Sequence, residues 1–408
     1  MGFPLFDEAV VWQMQARLVH TYAMNRVLVL ALIFCGFPCA GQAPASGPVW
    51  TQLVNLPARM TANDATTVIS VGPDGYLYSA VRTGQPFLVT VFRTKVDDPV
   101  SWQDITGKGL SSTTPVMMAH MPDGTVLMST TTGKGNADVF AWNGSVEKPV
   151  WSRIKGWNGD STSKIHDISN DSAGYTYFSP AWSGVIWRND HPNSLHFAQI
   201  SDSLYAITGG GATGHPDTGG IFQTKVGDLG DGKGDMVWAC GEGELDNISL
   251  KFKKSSNTAY LTTAGGYRGN CTSLAKSATT ILAIREAGDG GAALTSIDIA
   301  TRAATIHESP SPRTETSFPP YISTYQMGAL HWMADKTFIL SVVDLKQTPS
   351  YLLLSKDDGQ TWIDITATGD IHSSCPNNKL YAGAVASSRY IFARCEHGRA
   401  MWRYGPVE

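Results

Sequence analysis

Val71-Gly72-Pro73-Asp74-Gly75-Tyr76-Leu77-Tyr78-Ser79 returns in the same chain as His120-Met121-Pro122-Asp123-Gly124-Thr125-Val126-Leu127-Met128-Ser129. A looser copy follows as Asn170-Asp171-Ser172-Ala173-Gly174-Tyr175-Thr176-Tyr177-Phe178-Ser179. The shared glycines stand at 75, 124 and 174, a period near 50. Each copy is an apolar run, an Asp/Asn/Gly turn and a second apolar run, which is the signature of a β-hairpin. Fainter copies begin at Lys254, Met333 and Ala386.

A third strand follows each hairpin at Val89–Phe92, Val139–Trp142, Val185–Trp187 and Tyr351–Leu354. A fourth opens on an aromatic with an apolar residue three places on: Trp102 and Ile105, Trp151 and Ile154, Phe197 and Ile200, Trp362 and Ile365. Trp238 and Ser296–Ile299 read as less regular fourth strands. Four short antiparallel strands every roughly 45–50 residues make the blade of a β-propeller. A β-sandwich would not repeat at this period. Seven blades is the expectation and six the next, with 200–330 the least periodic part. Trp50-Thr51-Gln52-Leu53 carries the fourth-strand pattern but has no hairpin before it, and the last unit stops after its third strand at Ala400–Tyr404. The N-terminal strand is therefore expected to complete the last blade and leave no open sheet edge.

Composition fits an all-β, folded chain. Of 408 residues, 42% are hydrophobic and 16% charged, with a net charge of −4. There is no basic stripe, so a nucleic-acid partner is not expected. Met24-Asn25-Arg26, the apolar run Val27–Phe37 and the small residues from Cys39 to Ala43 read as a secretory signal. The organisation expected is an extension and signal peptide over 1–43, starting at Met24, then a propeller over 44–408. That implies a secreted or periplasmic protein, with no membrane span after signal removal, and a monomer. Four cysteines remain, and their spacing favours the pairs Cys240–Cys271 and Cys375–Cys395. Sequons stand at Asn143, Asn170, Asn247 and Asn270.

Ser355-Lys356-Asp357-Asp358-Gly359-Gln360-Thr361-Trp362 matches S-x-D-x-G-x-[ST]-W at every defined position. Asp357 suits a turn that needs a local acceptor, and Gly359 one that needs positive φ. On Ser355, Asp357, Gly359 and Trp362 the chain resembles the Asp-box (BNR) sialidase-like propeller superfamily. The full motif covers one blade, and the repeat pattern covers the rest of the mature region. The resemblance implies that the box is structural, on a turn between third and fourth strands and away from an active face. It departs from typical sialidases in lacking their Arg-Ile-Pro motif and a matching Tyr–Glu pair.

Arg82, Arg268 and Arg394 follow second-strand patterns and suit a carboxylate ligand. Trp157, Trp182 and Tyr267 suit stacking on sugar rings. Glycoside hydrolysis needs two facing carboxylates, for which Asp160, Asp217, Glu242, Glu244 and Glu396 are candidates. The acids at 228, 231 and 235 lack the EF-hand offsets and the cysteines lack a CxxC for zinc, so no metal is assigned, and calcium is the one alternative kept. Two functions follow. One is an exported propeller binding a carbohydrate or an extracellular protein. The other is a glycoside hydrolase of the sialidase-like type.

Overall fold

The computed structural model describes residues 48–62, 66–84, 88–110, 114–131, 137–157, 165–171, 173–180, 187–199, 223–226, 236–240, 250–254, 257–263, 271–286, 292–298, 300–301, 304–308, 326–344, 351–366, 371, 380–395 and 400–407. Every extended element among them is a β-strand. No helix there is long and apolar enough to cross a membrane.

Strand β1 (Val49–Gln52) stands before the first hairpin. The first sheet holds β2 (Thr66–Val71), β3 (Tyr76–Thr83), β4 (Leu88–Lys95) and β5 (Gln103–Asp104). The second holds β6 (Thr114–His120), β7 (Val126–Thr131), β8 (Ala137–Trp142) and β9 (Trp151–Arg153). The third holds β10 (Ile165–Asn170), β11 (Thr176–Pro180), β12 (Trp187–Asn189) and β13 (Phe197–Gln199). The next two contain β14 (Gln223–Val226), β15 (Met236–Cys240), β16 (Leu250–Lys254) and β17 (Asn257–Thr263), then β18 (Cys271–Lys276), β19 (Thr280–Glu286), β20 (Ala292–Asp298) and β21 (Ala304–Glu308). After these come β22 (Gln326–Ala334), β23 (Thr337–Asp344), β24 (Tyr351–Ser355) and β25 (Ile363–Asp364), and finally β26 (Leu380–Ala386), β27 (Ile391–Cys395) and β28 (Met401–Gly405).

Pairing is antiparallel throughout, in seven four-stranded sheets, the last of which runs β1-β28-β27-β26. The first strands touch in succession from β2 through β6, β10, β14, β18, β22 and β26 and back to β2, so the sheets form a ring. At the seam Trp50 pairs with Tyr404 and Gln52 with Trp402.

The assignment of strands within the blades needs correction between 223 and 308. Five packed hydrophobic cores lie between neighbouring sheets among the described residues. The stretch from 223 to 308 runs out of phase with the repeat as read from sequence. Lys254–Leu261, expected as a first hairpin, is instead the turn between the third and fourth strands β16 and β17. Trp238 lies in the second strand β15, and Ser296 in the third strand β20, not in fourth strands. The reason is local. Every neighbouring pair in an antiparallel meander reads as apolar run, turn, apolar run, so the pattern does not say which pair it is.

The cores explain the periodicity of the remainder. Tyr78, Ala80, Val89 and Val91 of the first sheet meet Met118, Val126, Met128 and Trp142 of the second. Leu127, Val139 and Ile154 of the second meet Ile168, Phe178 and Phe197 of the third. Alternate residues along each strand thus face opposite neighbours, which the two-residue period of a strand dictates. The connections also dock. Lys108 pairs in parallel with Val150, and Lys155 with His196. Gly107, Gly109 and Gly156 leave no room there, because a Cβ on any of them would sit about 2 Å from a neighbouring carbonyl oxygen.

Candidate functional site

Antiparallel order puts the turns after first and third strands at one end of the ring. Three polar clusters occupy that end. The first is the turn of Ser355–Trp362. Asp357 accepts from Thr361 N at Oδ1 (2.8 Å) and from Thr361 Oγ1 at Oδ2 (2.6 Å), while Ser355 Oγ donates to the same Oδ1 at 2.8 Å. Ser355 Oγ in turn accepts from Gly359 N at 2.9 Å, and Trp362 donates its indole N–H to Gly359 O at 3.0 Å. Burial alone would raise the Asp357 carboxyl, but the hydrogen bonds from Thr361 and Ser355 outweigh it and hold it below the ordinary carboxylate range. Gly359 has φ +83°, as the sequence requires of it. Asp358 reaches across to the neighbouring sheet and accepts from Ser277 Oγ and Thr279 Oγ1, both at 3.0 Å.

The second cluster appears twice. Tyr78 donates to Asp74 at 2.6 Å, and Arg93, opposite Tyr78 in the register, lies 4.2 Å above the Tyr76 ring. In the third sheet Tyr177 donates to Asp171 at 2.8 Å, and Arg188, opposite Tyr177, lies 4.5 Å above the Tyr175 ring. Burial and the adjoining carboxylate push both phenols well above their usual range. The acid has moved within the turn, one place before the glycine in Asp74 and three before it in Asp171, yet the same contact forms.

The third cluster joins three sheets. Ser70 Oγ and His120 Nε2 lie 3.0 Å apart, and Asn170 donates to His120 O at 2.6 Å. His120 Nδ1 is sealed from solvent with no hydrogen-bond partner. Desolvation lowers its pKa to about 4, against an opposing pull from Asp74. The imidazole is therefore neutral near pH 7.

Solved structures that this chain resembles include a chain of a mitotic checkpoint complex, with TM-score 0.55, 10% identity, and coverage of 91% of this chain and 96% of that one. U3-55K gives TM-score 0.54 and 12% identity over 88% of this chain and 100% of that one. The WD40 repeats of RRP9 give 0.54 and 12% over 88% and 99%. The fold is a β-propeller. At such identities the likeness reaches no further than the fold. No protein-family model and no curated protein matches the chain.

At the other end of the propeller, the structure describes few of the residues singled out from sequence. Arg82 is the last residue but one of β3, opposite Thr66, and is half-buried. Arg394 lies on β27 opposite Tyr381 and is buried, with Nη1 3.5 Å from Cys395 O. The two arginines therefore sit on the second strands of adjoining blades. Trp157 corrects the expectation of a sugar-stacking face. It is 5% exposed, donates to Ala137 O at 2.9 Å and packs edge-on against Trp187 and Phe178. Its loop composition suggested the surface, but its ring fills the joint between two blades.

Asp160, Asp217, Glu242, Glu244, Glu396, Trp182, Tyr267 and Arg268 lie outside the described residues, as does the calcium-like run at 228–235. Among the described residues no three His, Cys, Asp or Glu side chains group as metal ligands. Cys395 is in a disulfide. Cys375 lies outside the described residues, as do the side chains of Cys240 and Cys271. Sequence reasoning missed His120 and Asp358. Asp358 fills a variable position of its motif, and His120 stands where the other repeats carry Val71 and Asn170.

Proposed function

We propose that the chain is a protein-binding propeller, a scaffold that presents one end of its ring to a partner. The observation that carries this reading is the closed ring of four-stranded blades, a fold like that of the WD40 repeats of RRP9 and of a chain in a mitotic checkpoint complex. A rigid ring holds its loops in fixed relation, which lowers the ordering cost of binding. The end carrying Arg82 is the one proposed for contact, because the opposite end spends its Asp, Tyr and Arg side chains on internal hydrogen bonds and ring contacts. The partner is an extracellular protein if the N-terminal segment directs export, as its sequence suggests.

A second reading draws support from the turn at Ser355–Trp362, whose hydrogen bonds suit an Asp-box. In it, the protein is an exported glycan binder or a glycoside hydrolase of the sialidase-like type, with Arg82, Arg268 and Arg394 toward a carboxylate. One experiment separates the two. The purified chain is cross-linked to candidate partners with its Arg82→Glu variant as control, and the same preparation is tested on a glycan array and against polysaccharide substrates. A partner that binds reversibly in purified form and is weakened by Arg82→Glu supports the scaffold. Saturable glycan binding or sugar release, with no such partner, overturns it.

A further inference from the structure

Two sequons, Asn143-Gly144-Ser145 and Asn170-Asp171-Ser172, have their asparagines among the described residues, both exposed, and the two side chains bond differently. Asn143 begins the turn between β8 and β9 and is exposed, as is Gly144 beside it. Gly144 has φ +77°, and a Cβ there would meet nothing within 4 Å. The Asn143 carboxamide oxygen accepts from Ser145 N at 3.2 Å and from Val150 N at 3.1 Å, and Nδ2 donates one proton to Lys148 O at 3.1 Å. An amide nitrogen carries two protons. Replacing the second spares the proton that this bond needs, on a residue that is itself exposed.

Asn170 is exposed as well, but its side chain bridges two blades. Its Nδ2 donates to His120 O at 2.6 Å, and its oxygen accepts from Thr176 Oγ1 at 2.8 Å. The His120 ring behind that carbonyl packs 5.0 Å from the Tyr78 ring. A substituent on Asn170 Nδ2 would stand on the nitrogen that makes the cross-blade bond, beside the place where two sheets meet.

We propose that Asn143 is an acceptor for an N-linked glycan and that Asn170, with the same signature, is not. In the transfer, Nδ2 of Asn143 bonds to the anomeric carbon of a lipid-diphosphate-linked oligosaccharide. The carbon–oxygen bond to the diphosphate breaks, the carrier leaves with the electron pair, and Nδ2 gives up one proton to a base of the transferase. A sugar on Asn143 stays on a bond within one hairpin turn, whereas a sugar on Asn170 sits on the nitrogen that bonds to the next blade and burdens that contact. The glycan would stand at the end of the ring opposite Arg82 and leave the proposed contact end open.

The proposal rests on entry into a secretory pathway, and the test separates the two. The full chain is secreted from a eukaryotic host twice, with its own N-terminus and behind a host signal. Glycans are then removed by an amidase in heavy-oxygen water, and peptides are weighed. Behind the host signal, the Asn143 peptide is expected to carry the heavy aspartate label in most copies and the Asn170 peptide in few. Ser145→Thr should keep the label and Ser145→Ala should abolish it. Label behind the host signal but not with the native N-terminus supports the acceptor site and counts against export. An unlabelled Asn143 in secreted protein, or equal labelling of Asn170, overturns the proposal.

Discussion

Trp50 donates its indole N–H to the carbonyl of Ile365 at 2.7 Å, across 315 residues of chain. Trp151 does the same to Ile105 at 2.9 Å. In each pair an aromatic that opens a fourth strand bonds to the apolar residue that follows the fourth strand of the blade before it. The seam is thus built with the same contact as a continuous joint, although the chain is cut there. Trp50 is also buried against Tyr404, ring centroids 5.1 Å apart.

Two substitutions divide that contact into its parts. Trp50→Phe keeps most of the apolar volume and leaves Ile365 O without its donor, at about 1–3 kcal/mol. Trp50→Ala also opens a cavity and should cost about 3–5 kcal/mol. Deleting 48–53 removes β1 and should prevent cooperative folding, since the edge of β28 is then unpaired. Urea unfolding followed by tryptophan fluorescence gives the three values. Equal midpoints for Trp50→Ala and the parent would mean that the ring closes without β1.

Asp357→Ala should destabilise by about 1–2 kcal/mol, because the carboxylate's hydrogen bonds to Thr361 and Ser355 are charge-assisted but partly exposed. The folded carboxyl lies below its unfolded value, so its contribution is present above about pH 4 and is lost as pH falls through the folded value. Asp357→Asn should flatten that acid limb. Gly359→Ala should add a comparable penalty through positive φ and a Cβ 2.6 Å from Leu282 Cδ1. Binding to a partner at the Arg82 end should survive in all three. A variant that keeps its melting temperature but loses binding would place this turn in the contact surface.

Peptide mapping without reduction should find Cys395 joined to Cys375, and Cys240 to Cys271. Cys395 ends β27, and Cys375 precedes β26 of the same blade by five residues. Such a closed loop is worth about 3 kcal/mol on chain-entropy grounds. A Cys395–Cys240 or Cys395–Cys271 peptide would show a tie between distant blades instead.

Legibility in the sequence followed the strength of the local signal. The turns at Gly75, Gly124 and Gly174 were readable because each needs positive φ, and β1 was readable because Trp50-Thr51-Gln52-Leu53 repeats Trp102-Gln103-Asp104-Ile105. Between 223 and 308 the connections at 255–256 and 277–279 hold no glycine in the sequence, so Lys254–Leu261 reads as the wrong pair of strands. Trp157 was misread because loop composition says nothing of where a loop folds back. His120 has no signature, since its meaning comes from Ser70 and Asn170 on neighbouring blades, contacts that exist only once the ring has closed.

That last residue gives the propeller an acid-sensitive joint. His120 faces Ser70 and Tyr78 of the first sheet, with Asp74 the acid near it, and its carbonyl holds Asn170 of the third. Its folded pKa of about 4 lies below the ordinary 6.5. As pH falls below about 6.5 the unfolded chain takes up a proton that the folded chain refuses, so stability declines until pH reaches about 4. The whole span is worth on the order of 3 kcal/mol. His120→Gln keeps a polar side chain beside Ser70 without the titration. It should be less stable than the parent at pH 7.5, yet should lose less between pH 7 and pH 4.5. Chemical denaturation at a series of pH values measures both slopes. Parallel slopes would mean that the imidazole is solvated and that the acid response of the propeller comes from its carboxylates alone.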